Sequence, residues 1–359
     1  MIEIPAMVDL HVHFREPGFE YKETIETGMR AAKTAGYSDV FTMPNLRPAQ
    51  DTVEHLMVQL EAIEKASEKT KGVTIHPYGC ITMGQKGDQL TDFEALAPYV
   101  AGFSDDGHGV QRTEIMLEAM KICRKLGKPI VAHCEVNDLL RGGYIHDGDY
   151  AKMFGHKGIC SESEWRMIER DLNLVKLTGC QYHVCHISTK ESVNLIREAK
   201  KSGLPVTCET APHYLLLTDM DLREEGRFKM NPPLRTDEDR MALVEGIVDG
   251  TIDCIATDHA PHSAEEKAKG LSGSSFGIVG LETAFPLMYT YFVNKGIITL
   301  EKLVELMSYN ARKIMHLGKG RMIKFDVEKE FVIDPGKFES KGKATPFTGW
   351  KVVGRLVEL

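Results

Sequence analysis

A closed α/β barrel of eight parallel strands is the fold this sequence predicts, on three observations. Short apolar runs alternate with amphipathic stretches along most of the chain, the mark of repeated βα units. Eight such runs occur before the pattern changes near Gly320. The length, 359 residues, suits one barrel better than two ordinary domains.

The candidate strands are residues 6–13, 38–44, 73–81, 100–104, 129–134, 181–187, 205–209 and 253–258. Amphipathic helical stretches lie between them at 22–35, 53–67, 113–126, 163–177, 189–201 and 237–248. Several close as helices do, with lysine in the last turn and glycine just beyond it, as in Lys33-Thr-Ala-Gly36 and Lys200-Lys-Ser-Gly203. Together these make a TIM-type (β/α)8 barrel, whose functional residues belong at the C-terminal ends of the strands. The alternative, a doubly wound open sheet, lacks its usual GxGxxG after the first strand. Beyond Gly320, segments such as Phe331-Val-Ile and Trp350-Lys-Val-Val read as short strands joined by Gly and Pro. We therefore expect a barrel over residues 1–319 and a reduced C-terminal β appendage over 320–359. The segment 263–275, rich in Ser, Gly, Lys and Glu, reads equally as a mobile lid or a solvated loop.

Composition narrows the function. The chain is 42% hydrophobic and 27% charged with a net charge of −8, which argues against nucleic acid or an anionic membrane as partner. No apolar run approaches the ~20 residues of a membrane span, and the first residues lack the pattern of a signal peptide. Eight cysteines without a CxxC pair suggest neither a disulfide framework nor a thiolate metal site. Cys80, Cys134, Cys185, Cys208 and Cys254 fall inside candidate strands, where cysteine behaves as a small buried hydrophobe. The expected compartment is the cytoplasm.

Chemistry-bearing residues collect at strand ends. The first strand ends in His11-Val-His13, and alternation puts both imidazoles on one face, where they can chelate a metal. Arg15 follows as a fixed positive charge. The fourth strand ends in Asp105-Asp106, the fifth in His133-Cys-Glu135, the sixth in His183-Val-Cys-His186 and the eighth in Asp258-His259. Imidazole and carboxylate converging in this way suit Zn²⁺, as one ion or two. If His186 faces the pocket, alternation turns His183 toward the helices, and it likewise turns His259 away from Asp258. Alternation does not choose between Asp105 and Asp106. His55, His108, His146, His156 and His316 read as solvated or packed, and His76 and His213 have no evident partner.

Seven motifs carry a resemblance: His11-Val-His-Phe-Arg-Glu-Pro-Gly18, Met43-Pro-Asn45, Phe103-Ser-Asp-Asp-Gly107, Ala132-His-Cys-Glu135, His183-Val-Cys-His-Ile-Ser188, Met230-Asn-Pro-Pro-Leu-Arg235 and Ala256-Thr-Asp-His-Ala-Pro-His262. From about Pro5 to Ile314 the chain resembles the bacterial type I dihydroorotases of the amidohydrolase superfamily. These enzymes interconvert carbamoyl aspartate and dihydroorotate in pyrimidine biosynthesis. The resemblance implies zinc ligation by His11, His13, His133 and His186, a bridging carboxylate at Asp106, and Asp258 as both ligand and catalytic base. It further implies substrate contacts from His13, Arg15, Asn45, Asn231, His262, Phe276 and Gly277. Many relatives bridge their metals with a carboxylated lysine, but no lysine stands at the end of the fourth strand here.

The family pattern usually includes several strands before the HxH, so the associated sandwich is expected to be largely missing or rebuilt from the tail. A homodimer and docking to aspartate carbamoyltransferase are further expectations of the resemblance. The rival readings are another cyclic amidase, such as an allantoinase or hydantoinase, and a non-catalytic homologue that scaffolds aspartate carbamoyltransferase. The first would carry the lysine bridge. The second would lack ligands.

Overall fold

The computed structural model of the protein describes residues 1–358. Seven of the expected barrel strands appear as Met7–Val12, Tyr37–Thr42, Thr74–Pro77, Ile130–Ala132, Tyr182–Val184, Val206–Thr210 and Cys254–Ile255, each parallel to its neighbour. The fourth stave is only the segment 101–104. Its Ala101 and Ser104 amides bond the carbonyls of Pro77 and Gly79 on one side, and its Phe103 amide bonds that of Pro129 on the other. Closure comes from a parallel bridge between Val12 and His259, with the His13 amide donating to the His259 carbonyl at 2.8 Å. The eight staves thus form a ring in sequence order.

The expected helices are present as Ile25–Ala35, Val53–Lys69, Thr113–Leu126, Glu162–Thr178, Lys190–Lys201 and Asp237–Asp249. Their ends follow from local chemistry. Thr24, Thr52, Thr189 and Thr236 accept hydrogen bonds from first-turn amides, satisfying donors that the helix itself leaves free. Gly36, at φ 94°, supplies the left-handed residue that ends the first helix.

Side chains of Val8, Leu10, Phe41, Met43, Tyr78, Val131, Cys185 and Cys254 form a small apolar cluster within the barrel. Beneath it, the helix Asn310–Ile314 lies against the strand starts, where Asn310 donates to the Asp253 carbonyl and Arg312 to that of Ala6. The five cysteines expected to be small hydrophobes are all buried.

One irregularity in the first strand decides what the barrel can do. Val8 and Asp9 pair with Asp39 and Val40, but the next pair is Val12 with Thr42, so three steps on one strand match two on the other. This bulge shifts the side-chain parity by one. Val8 and Leu10 fill the interior below it, and His11 and His13 take the interior above it. Without the bulge, the parity that buries Val8 and Leu10 would turn both histidines toward the helices.

The appendage draws on both ends of the sequence. Ile2–Pro5 pairs antiparallel with Met322–Asp326, which pairs in turn with Arg355–Glu358; a second small pair joins Phe331–Val332 and Lys351–Val352. Phe325 stacks on Phe285 of the barrel's outer helices with centroids 3.9 Å apart, so the sheet is packed onto the barrel wall. No helix among the described residues is long and apolar enough to cross a membrane.

The residue after His13 is held from outside. A Cβ added to Gly28 in the first helix would lie 2.5 Å from the buried Phe14 ring. Overpacking of this kind costs about 1–3 kcal/mol. Gly28→Ala is therefore expected to lower the urea midpoint at unchanged m-value, despite alanine's better helix propensity. An equal or higher midpoint would show that Phe14 has room to move.

Candidate active site

The strand ends converge on one carboxylate. Asp106 Oδ1 lies 3.4 Å from His11 Nε2 and 3.6 Å from both His133 Nδ1 and His186 Nε2, and its Oδ2 lies 3.4 Å from His13 Nε2. A single carboxylate thus faces all four imidazoles. Asp258 Oδ1 completes the cluster, 3.1 Å from His13 Nε2 and 3.5 Å from His11 Nε2. His133 Nδ1 and His186 Nε2 face each other at 3.1 Å. The ambiguity between the adjacent aspartates is resolved by the backbone. Asp105 turns away, accepting the amides of Ile81 and Thr82 and the Thr82 hydroxyl.

Outer groups fix which nitrogen each imidazole offers. Glu209 Oε1 lies 3.1 Å from His11 Nδ1 and Asn45 Oδ1 lies 3.0 Å from His13 Nδ1, so each of these nitrogens donates outward and Nε2 keeps its lone pair for the cluster. The Glu135 carboxylate stands 3.7 Å from His133 Nε2, leaving Nδ1 turned inward. His11 Nε2 and Asp106 Oδ1 are buried without a hydrogen-bond partner. Buried lone pairs facing one another at 3.4 Å are tolerable only with positive charge between or upon them. The charges of the cluster act on one another in the same sense. Burial opposes charge on His11, yet Asp106 outweighs it and raises His11 well above the ordinary histidine range. Burial would raise Asp106 too, but His11 holds it well below the usual carboxylate range, and His13 and His11 do the same for Asp258. Three triplets have the spacing to hold a metal ion: His11/His13/Asp258, His11/Asp106/His186 and, on the Glu209 side of His11, His11/Cys185/Glu209.

Two positions reach the cluster through unusual backbone. His186 and Asp258 adopt positive φ, 31° and 47°, a region rarely occupied outside glycine. At His186 this corrects the alternation argument. Tyr182 faces outward, its hydroxyl donating to Asp171 on the helix Glu162–Thr178, whereas His183 points into the barrel with Nε2 3.1 Å from Glu209 Oε2. The left-handed residue breaks the period-2 pattern, so His186 and His183 both look inward at different levels. His259 behaves as expected, its Nδ1 accepting the Gly280 amide and its Nε2 directed at Glu23. His76 does find a partner, Asp39, at 2.9 Å.

Glu209 was missed by the sequence reading, although it closes the seventh strand. Its carboxylate receives both His11 and His183, and these hydrogen bonds outweigh burial to hold its pKa near 2. The signal was available, since an acid at the end of a buried strand needs a partner.

A cavity of about 190 Å³ opens above the cluster, with His13, Asp106, His133, His186 and Asp258 at its floor. Every residue expected to touch substrate lines it: Arg15, Asn45, Asn231, His262, Phe276 and Gly277. Arg15 is buried, donating from Nε to the Pro261 carbonyl, with Nη2 3.3 Å from His262 Nε2. Burial together with Arg15 and Lys22 pushes His262 down to about 3, so it is neutral and donates from Nε2 to the Phe276 carbonyl. Asn231 bonds Glu135 through its amide nitrogen, while its Oδ1 is buried and unpartnered. The segment 263–275 forms two short helices docked over this edge, anchored by a 2.9 Å ion pair between Lys22 and Glu266.

A Dihydro-orotase-like family model matches residues 1–192. The chain is 51% identical to a dihydroorotase of Bacillus caldolyticus over 361 residues, covering 98% of this chain and 84% of the relative. It is 52% identical to one from Fusobacterium nucleatum, covering 97% and 83%. The chain belongs to the dihydroorotase family. In three dimensions this family member matches an L-hydantoinase (dihydropyrimidinase) of Arthrobacter aurescens at TM-score 0.85 and 27% identity, covering 99% of this chain and 83% of the other. A dihydropyrimidinase of Brevibacillus agri matches at TM-score 0.82 and 20% identity, which supports the shared barrel fold alone. The family assignment makes the protein a hydrolase acting on cyclic amides.

The Glu209 contact is open to a direct test. Glu209→Gln keeps the shape but removes the charge that orients and enriches His11. Losing such an outer partner typically weakens metal binding 10–100-fold, a fall to be read by competition with a zinc chelator. Unchanged affinity would show that His11 is oriented by packing alone.

Proposed function

We propose that the protein is a zinc-dependent dihydroorotase, interconverting N-carbamoyl-L-aspartate and L-dihydroorotate. The observation that carries this reading is the placement of Asp106 among four imidazoles beside a cavity whose far wall is a buried arginine. Asp106, not a lysine, stands among the four imidazoles, which favours a dihydroorotase of this class over a hydantoinase, where a lysine bridge is the norm. All six ligands expected from the sequence lie in one cluster, which is contrary to the non-catalytic scaffold reading.

The donor set of imidazole nitrogens and carboxylate oxygens suits zinc. His11, His13 and Asp258 would hold one ion, His133 and His186 a second, with Asp106 between them. Zinc, when bound, would lower the pKa of a water to about 7 and polarise a carbonyl. The protein's own groups do the rest. Arg15 grips the substrate carboxylate with two parallel N–H donors and does not lose its charge, although burial lowers it to about 10. Neutral His262 lies against Arg15 without repelling the guanidinium, and its Nε2 holds the Phe276 carbonyl at the same wall. Asn231, with its free Oδ1, accepts an N–H of the ring, and the backbone of Phe276 and Gly277 flanks it. Asp258, held ionised by His13 and His11, takes the proton of the attacking water and delivers it to the departing amide nitrogen. In the biosynthetic direction it removes the proton from the carbamoyl nitrogen as the ring closes.

The homodimer and the contact with aspartate carbamoyltransferase rest on the family resemblance alone.

Three measurements test the reading. Dihydroorotate hydrolysis at alkaline pH should vanish on chelation and return with zinc; metal-independent turnover, or none after zinc loading, contradicts it. Asp258→Asn should lower kcat by about 10²–10⁴-fold, the usual worth of a general acid–base. Arg15→Ala should raise KM strongly with zinc content unchanged, and an unaltered KM would remove Arg15 from substrate binding.

A further inference from the structure

The loop after the eighth strand carries a buried lysine that the chemistry above does not use. Lys267 ends the short helix Ala264–Lys267. Its Nζ donates to three backbone carbonyls: Lys229 at 3.0 Å, Ser275 at 2.7 Å and Gly277 at 2.6 Å. Burial and nearby Lys229 push the ammonium pKa down, whereas three carbonyls accepting from one nitrogen need all three ammonium protons and so favour the charged form. Three carbonyl dipoles aimed at one nitrogen offset part of that cost.

Each acceptor belongs to a segment at the substrate cavity. Gly277 lines the cavity itself, Ser275 precedes Phe276, and Lys229 stands two residues before Asn231. The Gly277 amide also donates to the Lys229 carbonyl at 3.1 Å, so Lys267 caps a point where two strands of backbone already touch. Lys267 lies five residues after His262, on the turn that Ser263 caps. Space there is tight. At Gly277, with φ at +125°, a Cβ would lie 2.7 Å from the Ala260 Cβ and 3.1 Å from His262 Nε2. Small backbone shifts at this junction therefore change the wall that meets the ring.

We propose that Lys267 is a positioning residue, a cationic staple that presets Asn231, Phe276, Gly277 and His262 for the anionic ring before it binds. The inference rests on the dihydroorotase reading above. Its physical content is pre-organisation. Ordering these segments in the free enzyme removes that cost from binding, so loss of the staple appears in substrate affinity. None of the three carbonyls that Lys267 bonds belongs to a residue of the metal cluster, so zinc binding is expected to survive its loss.

The test is steady-state hydrolysis of dihydroorotate by zinc-loaded wild type, K267M and K267R, with zinc content and thermal melts on the same samples. K267M is expected to raise KM about tenfold or more while kcat changes less than about threefold and zinc is retained. K267R, which keeps the cation and its donors, is expected to recover KM to within about threefold of wild type. A lysine with a merely structural role would lower the melting temperature and the active fraction while leaving KM alone. A K267M KM within about twofold of wild type, or K267R no better than K267M, overturns the proposal. Should K267M not fold, K267Q is judged by the same criteria. Absence of turnover in the wild type would sink the substrate reading and this inference with it, a pattern distinct from failure of the variants alone.

Discussion

The hydrogen bond from the His13 amide to the His259 carbonyl is the seam on which the site depends. It joins the first stave to the last, and so brings residues 245 positions apart in sequence to 3.1 Å, His13 Nε2 to Asp258 Oδ1. Asp9 reinforces the seam one layer below, accepting the Thr257 amide and hydroxyl and the His11 amide. The bulge between Asp9 and Val12 then turns the histidines inward at the level where the seam closes. An open sheet with the same strands would leave His11 and Asp258 on opposite edges.

Above the seam, electrostatics takes over from packing. Two buried carboxylates and four imidazoles crowd into a few ångströms, an arrangement that is costly without a cation. The outer partners Glu209, Asn45 and Glu135 make the crowd directional, each turning one nitrogen outward so that the other faces Asp106. The positive φ values at His186 and Asp258 belong to the same account, since the strained backbone aims both side chains at the cluster. Arg15 and neutral His262 then separate the cavity into a metal-facing floor and an anion-facing wall.

Much of this was legible in the sequence, and the exceptions share a cause. Strand count, helix ends and the gathering of His and Asp at strand ends depend on local pattern, and all appear. The reading failed where non-local contacts override a period of two. With His186 facing the pocket, alternation turns His183 toward the helices, and nothing local foretells the left-handed residue at His186. Asp105 and Asp106 could not be told apart, because the choice is made by the amides of Ile81 and Thr82 on the neighbouring stave. Glu209 lacked a motif and gains its meaning only from His11 and His183 across the barrel. The pairing of Ile2–Pro5 with Met322–Asp326 is likewise invisible to any local window.

The most direct measurement is crystallographic: anomalous scattering across the zinc absorption edge from crystals of the zinc-loaded protein. The account predicts anomalous density in the space bounded by His11 Nε2, His13 Nε2, Asp106 and Asp258. A second peak, where present, should lie between His133 and His186. Density instead among His11, Cys185 and Glu209, the deeper triplet of similar spacing, would contradict it, as would no zinc in the barrel at all.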